Sequence, residues 1–250
     1  MKKYIKFFKY LFEFIVIIVF FFIFKILGLK ISTFISRKIF NVFGSIFRSK
    51  AVVSKNLKIA FPKITDIEID NYTNKMWNYY GEIFVEYLFL KKFRYGDLNN
   101  NIEVVGQNIF DEIKSKNESV IFISGHFDNF ELMAMTIEKS GIKLSAIYRP
   151  LNNFFMNKIM ESLRTKYICK NQIKKGRSNI RDLLRSFNNG SSIALMIDQR
   201  VSEGIKSKFF NKDAYTTTIP AQFVKKFNCK VVPINIERKQ NSKFKLTVFN

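Results

Sequence analysis

The sequence predicts an α/β fold, a mostly parallel or mixed sheet flanked by helices, behind an N-terminal hydrophobic membrane-anchor helix. Three observations predict it. From Ile102 onward, short β-branched runs alternate with segments of helical period, the pattern of a sheet wound with helices. Ser119–Gly141 passes from such a run, Val120–Ile123, through Ser124-Gly125 into a helical pattern of Phe130, Met133, Ala134 and Ile137. Leu11–Leu27 is almost wholly apolar after a basic start.

At the N-terminus, Lys2, Lys3, Lys6 and Lys9 precede the apolar stretch, which only Glu13 and Lys25 interrupt. Its unbroken core, Phe14–Phe24, is shorter than the roughly 20 residues of a bilayer span. Snorkelling by Lys25 and interfacial aromatics extend the usable length. No small-residue cleavage site follows, so an uncleaved anchor is expected, with the lysines holding the N-terminus in the cytoplasm. A full crossing would then put the rest of the chain outside the cytoplasm, which favours a re-entrant or interfacial segment. Ile31, Phe34, Ile35, Ile39, Phe43 and Ile46 next form one face of a basic helix. That face fits a headgroup layer or a domain core equally well. Residues 1–50 are thus expected to be anchor and amphipathic helix, and residues 51–250 the catalytic domain.

Pro62 ends a helical segment, and Thr65–Leu90 has helical spacing. Gly96–Asn101 reads as a turn, Ile102–Val105 as a strand and Ile109–Ser115 as a helix. After the central unit, Lys143–Tyr148 reads as a strand, Asn153–Lys166 as a helix and Tyr167–Cys169 as a short strand. Asn179–Asn188 is a helix stopped by Asn189-Gly190, and Ser192–Ile197 a buried strand. Ile219–Phe227 is a helix, with strands at Lys230–Ile236 and Phe244–Phe249. The chain stops directly after a strand, so a further element is expected beyond Asn250.

Composition narrows the function. Forty-two Lys and Arg against 20 Asp and Glu give a net charge of +22, which suits nucleic acid, an anionic membrane or an acidic partner. The 29 phenylalanines favour the membrane over nucleic acid. Cys169 and Cys229 lie far apart without metal-ligand spacing, and with one histidine no zinc site is expected. Nucleotide-binding loops of the G-x4-G-K-S/T and G-x-G-x-x-G types are missing, as is a G-x-S-x-G elbow.

Strand ends carry the chemistry. His126, the only histidine, follows Ser124-Gly125 at a carboxyl end, where ligands collect in α/β sheets. Glu131, five residues on, lies about 140° away on a continuous helix. The two meet only with His126 in the loop and Glu131 in the first helical turn. There the carboxylate would hold one imidazole nitrogen and leave the other to take a proton. Asp128 and Glu131 also stand at capping-box spacing, a structural role compatible with the catalytic one. Arg149 and Asp198 with Gln199 end two further strands. A histidine base beside an arginine clamp suits attack by a hydroxyl on an acyl group, with phosphate on one substrate.

Gly125-His126-Phe127-Asp128-Asn129-Phe130-Glu131 resembles the His-x4-Glu signature of the bacterial lipid A biosynthesis acyltransferases, the lauroyl/myristoyl type of the lysophospholipid-acyltransferase-like superfamily. Asn56-Leu57 with Ala60-Phe61-Pro62, Tyr148–Asn153, Asp198-Gln199, Phe209-Phe210, Thr216–Thr218 and Pro220-Ala221 resemble its other blocks. Asp128 stands where that family usually has Gly, Phe130 where Trp is common, and Ile219 where Gly often precedes Pro-Ala. The resemblance implies a glycerolphosphate-acyltransferase-like fold at the cytoplasmic face of the bacterial inner membrane. It implies transfer of a fatty acyl chain from acyl carrier protein to a hydroxyl of a lipid A precursor or related anionic glycolipid. His126 would be the base, Glu131 its orienter, and Arg149, Asp198 and Gln199 would bind substrate, with no cofactor, metal or nucleic acid. Two alternatives remain: a related enzyme using acyl-CoA on another glycolipid or lysophospholipid, and a non-catalytic basic protein that binds membrane surfaces or nucleic acid.

Overall fold

The computed structural model describes residues 2–250 except Arg177, Ser178 and Glu203, and leaves aside the side chains of Lys2, Lys3 and Phe47. The chain forms two compact units, one of Met1–Phe89 with Lys208–Lys212, the other of Leu90–Ser207 with Asp213–Asn250.

The first unit is helical: α1 (Lys2–Phe47), α2 (Lys50–Ala60), α3 (Asp66–Glu86) and a 3-10 turn over Tyr87–Phe89. α1 is two arms, broken at Gly28, whose φ of 75° and ψ of 170° leave helical space. Such a φ costs an L-residue dearly and glycine almost nothing. Ser32 Oγ reaches back across the break and donates to the Phe24 carbonyl at 2.8 Å, tying the two arms together. α1 is long and apolar enough, over Tyr4–Ile46, to cross a membrane, which makes it a candidate anchor. The exposed Lys25 donates from its ammonium to the Leu88 carbonyl at 2.7 Å and stands over the Phe89 ring.

The second arm of α1 packs on α3 through small residues. Ser32, Ser36 and Gly44, four or eight positions apart, are buried, while Ile31, Phe34, Phe43 and Ile46 are exposed. A Cβ on Gly81 of α3 would stand 2.9 Å from the Ser36 carbonyl oxygen, and one on Gly44 would stand 2.2 Å from the Trp77 ring. Without side chains at those two positions the helix backbones approach closely, the small-residue packing common in membrane helices. Ser36 Oγ donates to Gly81 O, Asn41 bonds Asn78, and Arg37 pairs with the buried Glu82 at 2.6 Å. A capping box between Thr65 and Glu68 starts α3.

The second unit follows the predicted α/β pattern. It runs α4 (Leu90–Tyr95), a 3-10 turn (Asn99–Asn101), β1 (Ile102–Val105), α5 (Gln107–Ser115), β2 (Ile121–Ser124), α6 (Glu131–Lys139), β3 (Leu144–Tyr148) and α7 (Phe154–Tyr167). Then come β4 (Asn171–Lys174), α8 (Ile180–Asn188), β5 (Ser192–Met196), a hairpin of β6 (Ile205–Phe209) and β7 (Lys212–Thr216) whose tip, Lys208–Lys212, is counted with the first unit, α9 (Ile219–Phe227), β8 (Val231–Arg238) and β9 (Phe244–Val248). The seven-stranded sheet has the order β1-β9-β8-β2-β5-β3-β4 and is parallel except for the β8–β9 pair. The strand expected at Tyr167–Cys169 is not formed. α7 runs through Tyr167, and the pairing strand is β4, which ladders onto β3.

β2 is central and covered on both faces, so it reads as a continuous apolar run rather than an alternation. Ile121 packs with Ile193, Leu183 of α8 and Phe223 of α9. On the opposite face Phe122 meets Phe110 of α5 edge-on, and Ser124 touches Met133 of α6. From β2 the chain crosses past β5 to β3, whereas from β5 it returns past β2 to β8. Neighbouring strands whose connections depart in opposite directions leave a crevice at their carboxyl ends.

Candidate active site

That crevice holds His126. The β2–β5 ladder pairs Ser124 with Met196, and the Ile197 amide still donates to the Ser124 carbonyl at 2.9 Å. Two residues further along both parallel strands, His126 and Asp198 stand side by side. One Asp198 oxygen accepts the His126 backbone N–H at 2.8 Å, and the other takes the ring at Nδ1, 2.7 Å away. A carboxylate accepts only, so Nδ1 carries a proton. The Gln199 amide nitrogen can only donate and lies 3.2 Å from Nε2, so in the neutral ring Nε2 accepts from it. The imidazole also meets Phe130 edge-on, with centroids 4.8 Å apart. A Cβ on Gly125 would lie 3.0 Å from the Phe127 ring and 3.3 Å from Asp198, so glycine gives the carboxylate room to reach the loop.

The expected pairing of His126 with Glu131 is not made. Both ring nitrogens are engaged by the segment after β5, and Glu131 is held elsewhere. Arg164 of α7 brings Nη2 to 2.5 Å and Nε to 2.8 Å from Glu131 Oε1, with both side chains nearly buried. A full positive charge in a dry position outcompetes a neutral imidazole for a carboxylate. The Arg164 guanidinium also faces the Tyr148 ring. The Tyr148 hydroxyl donates to Glu161 at 2.5 Å, and burial together with that carboxylate pushes its pKa well up. The same bond holds the Glu161 carboxyl below its usual range. Glu131 and α7 thereby brace the end of β3.

Nor does Asp128 cap α6. The helix starts with Phe130 at its N-cap and no side-chain cap bond. Asp128 has a φ of 38°, and its carboxylate accepts from the Arg238 backbone N–H at 2.9 Å and from Arg238 Nε at 3.3 Å. The histidine loop is thus tied to β8 on one side and to the end of β5 on the other.

Arg149 ends β3, next to β5 and two strand spacings, about 10 Å, from β2. Its side chain is exposed and, among the described residues, has no hydrogen bond or ion pair. The structure therefore brings His126, Asp198, Gln199 and Arg149 to one sheet edge and assigns Glu131 to a buried ion pair. Arg164 and Arg238, which fix the loop's carboxylates, carried no signal in the sequence: each is one of 42 basic residues and meets its partner only in three dimensions.

A parallel sheet with a carboxylate-held imidazole at its switch point is the arrangement in which α/β folds collect ligands. The profile of the family described as bacterial lipid A biosynthesis acyltransferase matches residues 1–249. The chain belongs to that family and is an acyltransferase of lipid A biosynthesis. The family implies a lipid A or glycolipid acceptor. Among curated proteins no match is found.

Proposed function

We propose that the protein moves a fatty acyl chain from acyl carrier protein to a hydroxyl of a lipid A precursor, with His126 as the general base. The observation that carries this is the oriented imidazole: Nδ1–H given to Asp198, and Nε2 free to exchange Gln199 for a substrate hydroxyl. The hydroxyl proton passes to Nε2 as its oxygen attacks the thioester carbonyl. The tetrahedral oxyanion then collapses, the C–S bond breaks, and the carrier's thiolate takes the proton back from Nε2–H. Asp198 stabilises the imidazolium between these steps, the role that His-x4-Glu spacing alone would give to Glu131. Arg149, without a side-chain partner among the described residues, binds a phosphate of the acceptor or the developing oxyanion. Gln199 marks where the attacking oxygen sits, and Glu131 keeps the loop and α7 in place.

The basic chain, at +22, complements an acidic carrier and a phosphorylated acceptor, which supports acyl carrier protein as donor. The candidate anchor α1 supports work at the cytoplasmic face of the inner membrane. The test is transfer from labelled acyl carrier protein to a tetra-acylated lipid A precursor in detergent. Wild type transfers and folded His126→Ala does not. Transfer that survives in His126→Ala overturns the mechanism. A folded wild type that uses only acyl-CoA, or only another glycolipid, overturns the donor or the acceptor.

A further inference from the structure

The helical unit contains a cavity of about 1320 Å³ between the two arms of α1, bounded by α3 and the start of α2. It is larger than the roughly 300–1,000 Å³ of an ordinary small-molecule pocket. Its walls are apolar: Phe20 and Phe24 from the first arm, Ile39 and Phe40 from the second, Trp77 and Phe84 from α3. Ser36 also lines it, but its hydroxyl is already given to the Gly81 carbonyl. The polar groups that remain are the Tyr80 hydroxyl, Asn56 and Arg48. The Arg48 side chain is exposed and, among the described residues, makes no hydrogen bond or ion pair.

Shape and chemistry select an occupant. The lining follows the second arm from Ser36 to Arg48, about 18 Å at 1.5 Å per residue. One leaflet of a bilayer's hydrocarbon is about 15 Å thick, half of the roughly 30 Å core. A peptide would bring backbone amides that these walls cannot satisfy, whereas an alkyl chain brings none. The cation at the end of the apolar run complements an anionic headgroup. Phe12, Phe43 and Ile46 at the rim are exposed, so the opening is itself apolar. We propose that this cavity binds one anionic glycerophospholipid, an acyl chain between the arms of α1 and the phosphate on Arg48. The site lies wholly in the helical unit and requires none of the acyl-transfer chemistry.

Trp77 is the only tryptophan in the chain and lines the cavity, so it reports occupancy directly. The full chain in detergent is titrated with phosphatidylglycerol brominated on its acyl chains. Quenching should saturate at one lipid per chain and be reversed by unbrominated phosphatidylglycerol, but not by glycerol 3-phosphate. Arg48→Gln should weaken this lipid about tenfold, as expected for loss of one charge-assisted contact to its phosphate. Ile39→Phe and Val53→Phe, on different helices, fill the space and should abolish saturable quenching. Either one that keeps the wild-type circular dichroism suffices for that arm. Quenching that rises linearly with lipid in detergent, or persists in a folded filling variant, overturns the proposal. Competition by glycerol 3-phosphate alone would reduce the site to a phosphate contact and likewise overturns it.

Discussion

The carboxylate that serves His126 is decided by comparing Asp198→Asn with Glu131→Gln. Asp198 accepts two protons from one residue, the backbone N–H and Nδ1–H of His126. An asparagine there retains a single carbonyl oxygen and adds an NH2 group, so it cannot satisfy both. The imidazole then loses its fixed tautomer and the counter-charge to the imidazolium. His126 and Asp198 keep 33% and 43% of their side-chain surface exposed, so water replaces part of the interaction. The expected fall in kcat is therefore about 10²–10³-fold, within the span of general acid–base catalysis, with little change in melting temperature. Glu131→Gln should do the opposite. The Arg164–Glu131 pair is only 11% and 8% exposed, and removing one partner of a buried pair costs about 3–5 kcal/mol. At roughly 2–4 °C per kcal/mol for a protein of this size, melting should fall by about 6–20 °C. The kcat per folded molecule should drop less than about tenfold. Both variants are assayed by acyl transfer under single-turnover conditions, with circular dichroism melts run in parallel. Loss of turnover in a thermally unchanged Glu131→Gln, beside an active Asp198→Asn, would refute the assignment.

Three further outcomes follow from the packing. At Asp128, where φ is 38°, Asp128→Gly and Asp128→Ala both lose the Arg238 pair, but only alanine also bears left-handed strain of about 1–2 kcal/mol. Urea melts should therefore rank the glycine variant above the alanine variant by about that amount, and equal stabilities would argue against the strain. Gly44→Ala places a methyl 2.2 Å from the Trp77 ring, so overpacking of about 1–3 kcal/mol and a shifted tryptophan emission maximum are expected. Burial pushes the Cys169 thiol up to about 12, and burial also raises that of Cys229. A raised pKa keeps a thiol neutral, and the thiolate is the form that alkylates. At pH 8.5, iodoacetamide should leave Cys169 unmodified in the native protein and label both cysteines in guanidinium, as read by mass spectrometry. Native labelling of Cys169 would show that the turn between α7 and β4 opens.

The sheet was legible because its signals are local. Ile121–Ser124, Leu144–Tyr148 and Ser192–Met196 are short, largely apolar runs, followed within two residues by His126, Arg149 and Asp198. What was not legible is adjacency. Glu131 looked like the partner of His126 because it is near in sequence, whereas the ladder sets β5 beside β2 and delivers Asp198 from 72 residues away. The hairpin at Ile205–Thr216 escaped notice because Lys206, Lys208 and Lys212 interrupt its β-branched and aromatic residues. β4 did so because Asn171, Gln172 and Lys174 are poor strand formers, tolerated at an edge. In the second arm of α1 large apolar residues dominate the pattern, but Ser36 and Gly44 make close contacts with α3.

The place of β2 in the sheet also governs how the protein can be made. Both of its neighbours, β5 and β8, come later in the chain, and β8 begins only at Val231. Ribosomes add about 5–20 residues per second, so the most apolar strand of the enzyme waits roughly 5–20 s without its full set of partners. Its open edges are a template for wrong pairing throughout that time. Asp198 likewise follows His126 by 72 residues, so the pair can form only once β5 has docked beside β2. Yield on overexpression should therefore depend more on holdase capacity and translation speed than on the stability of the finished fold.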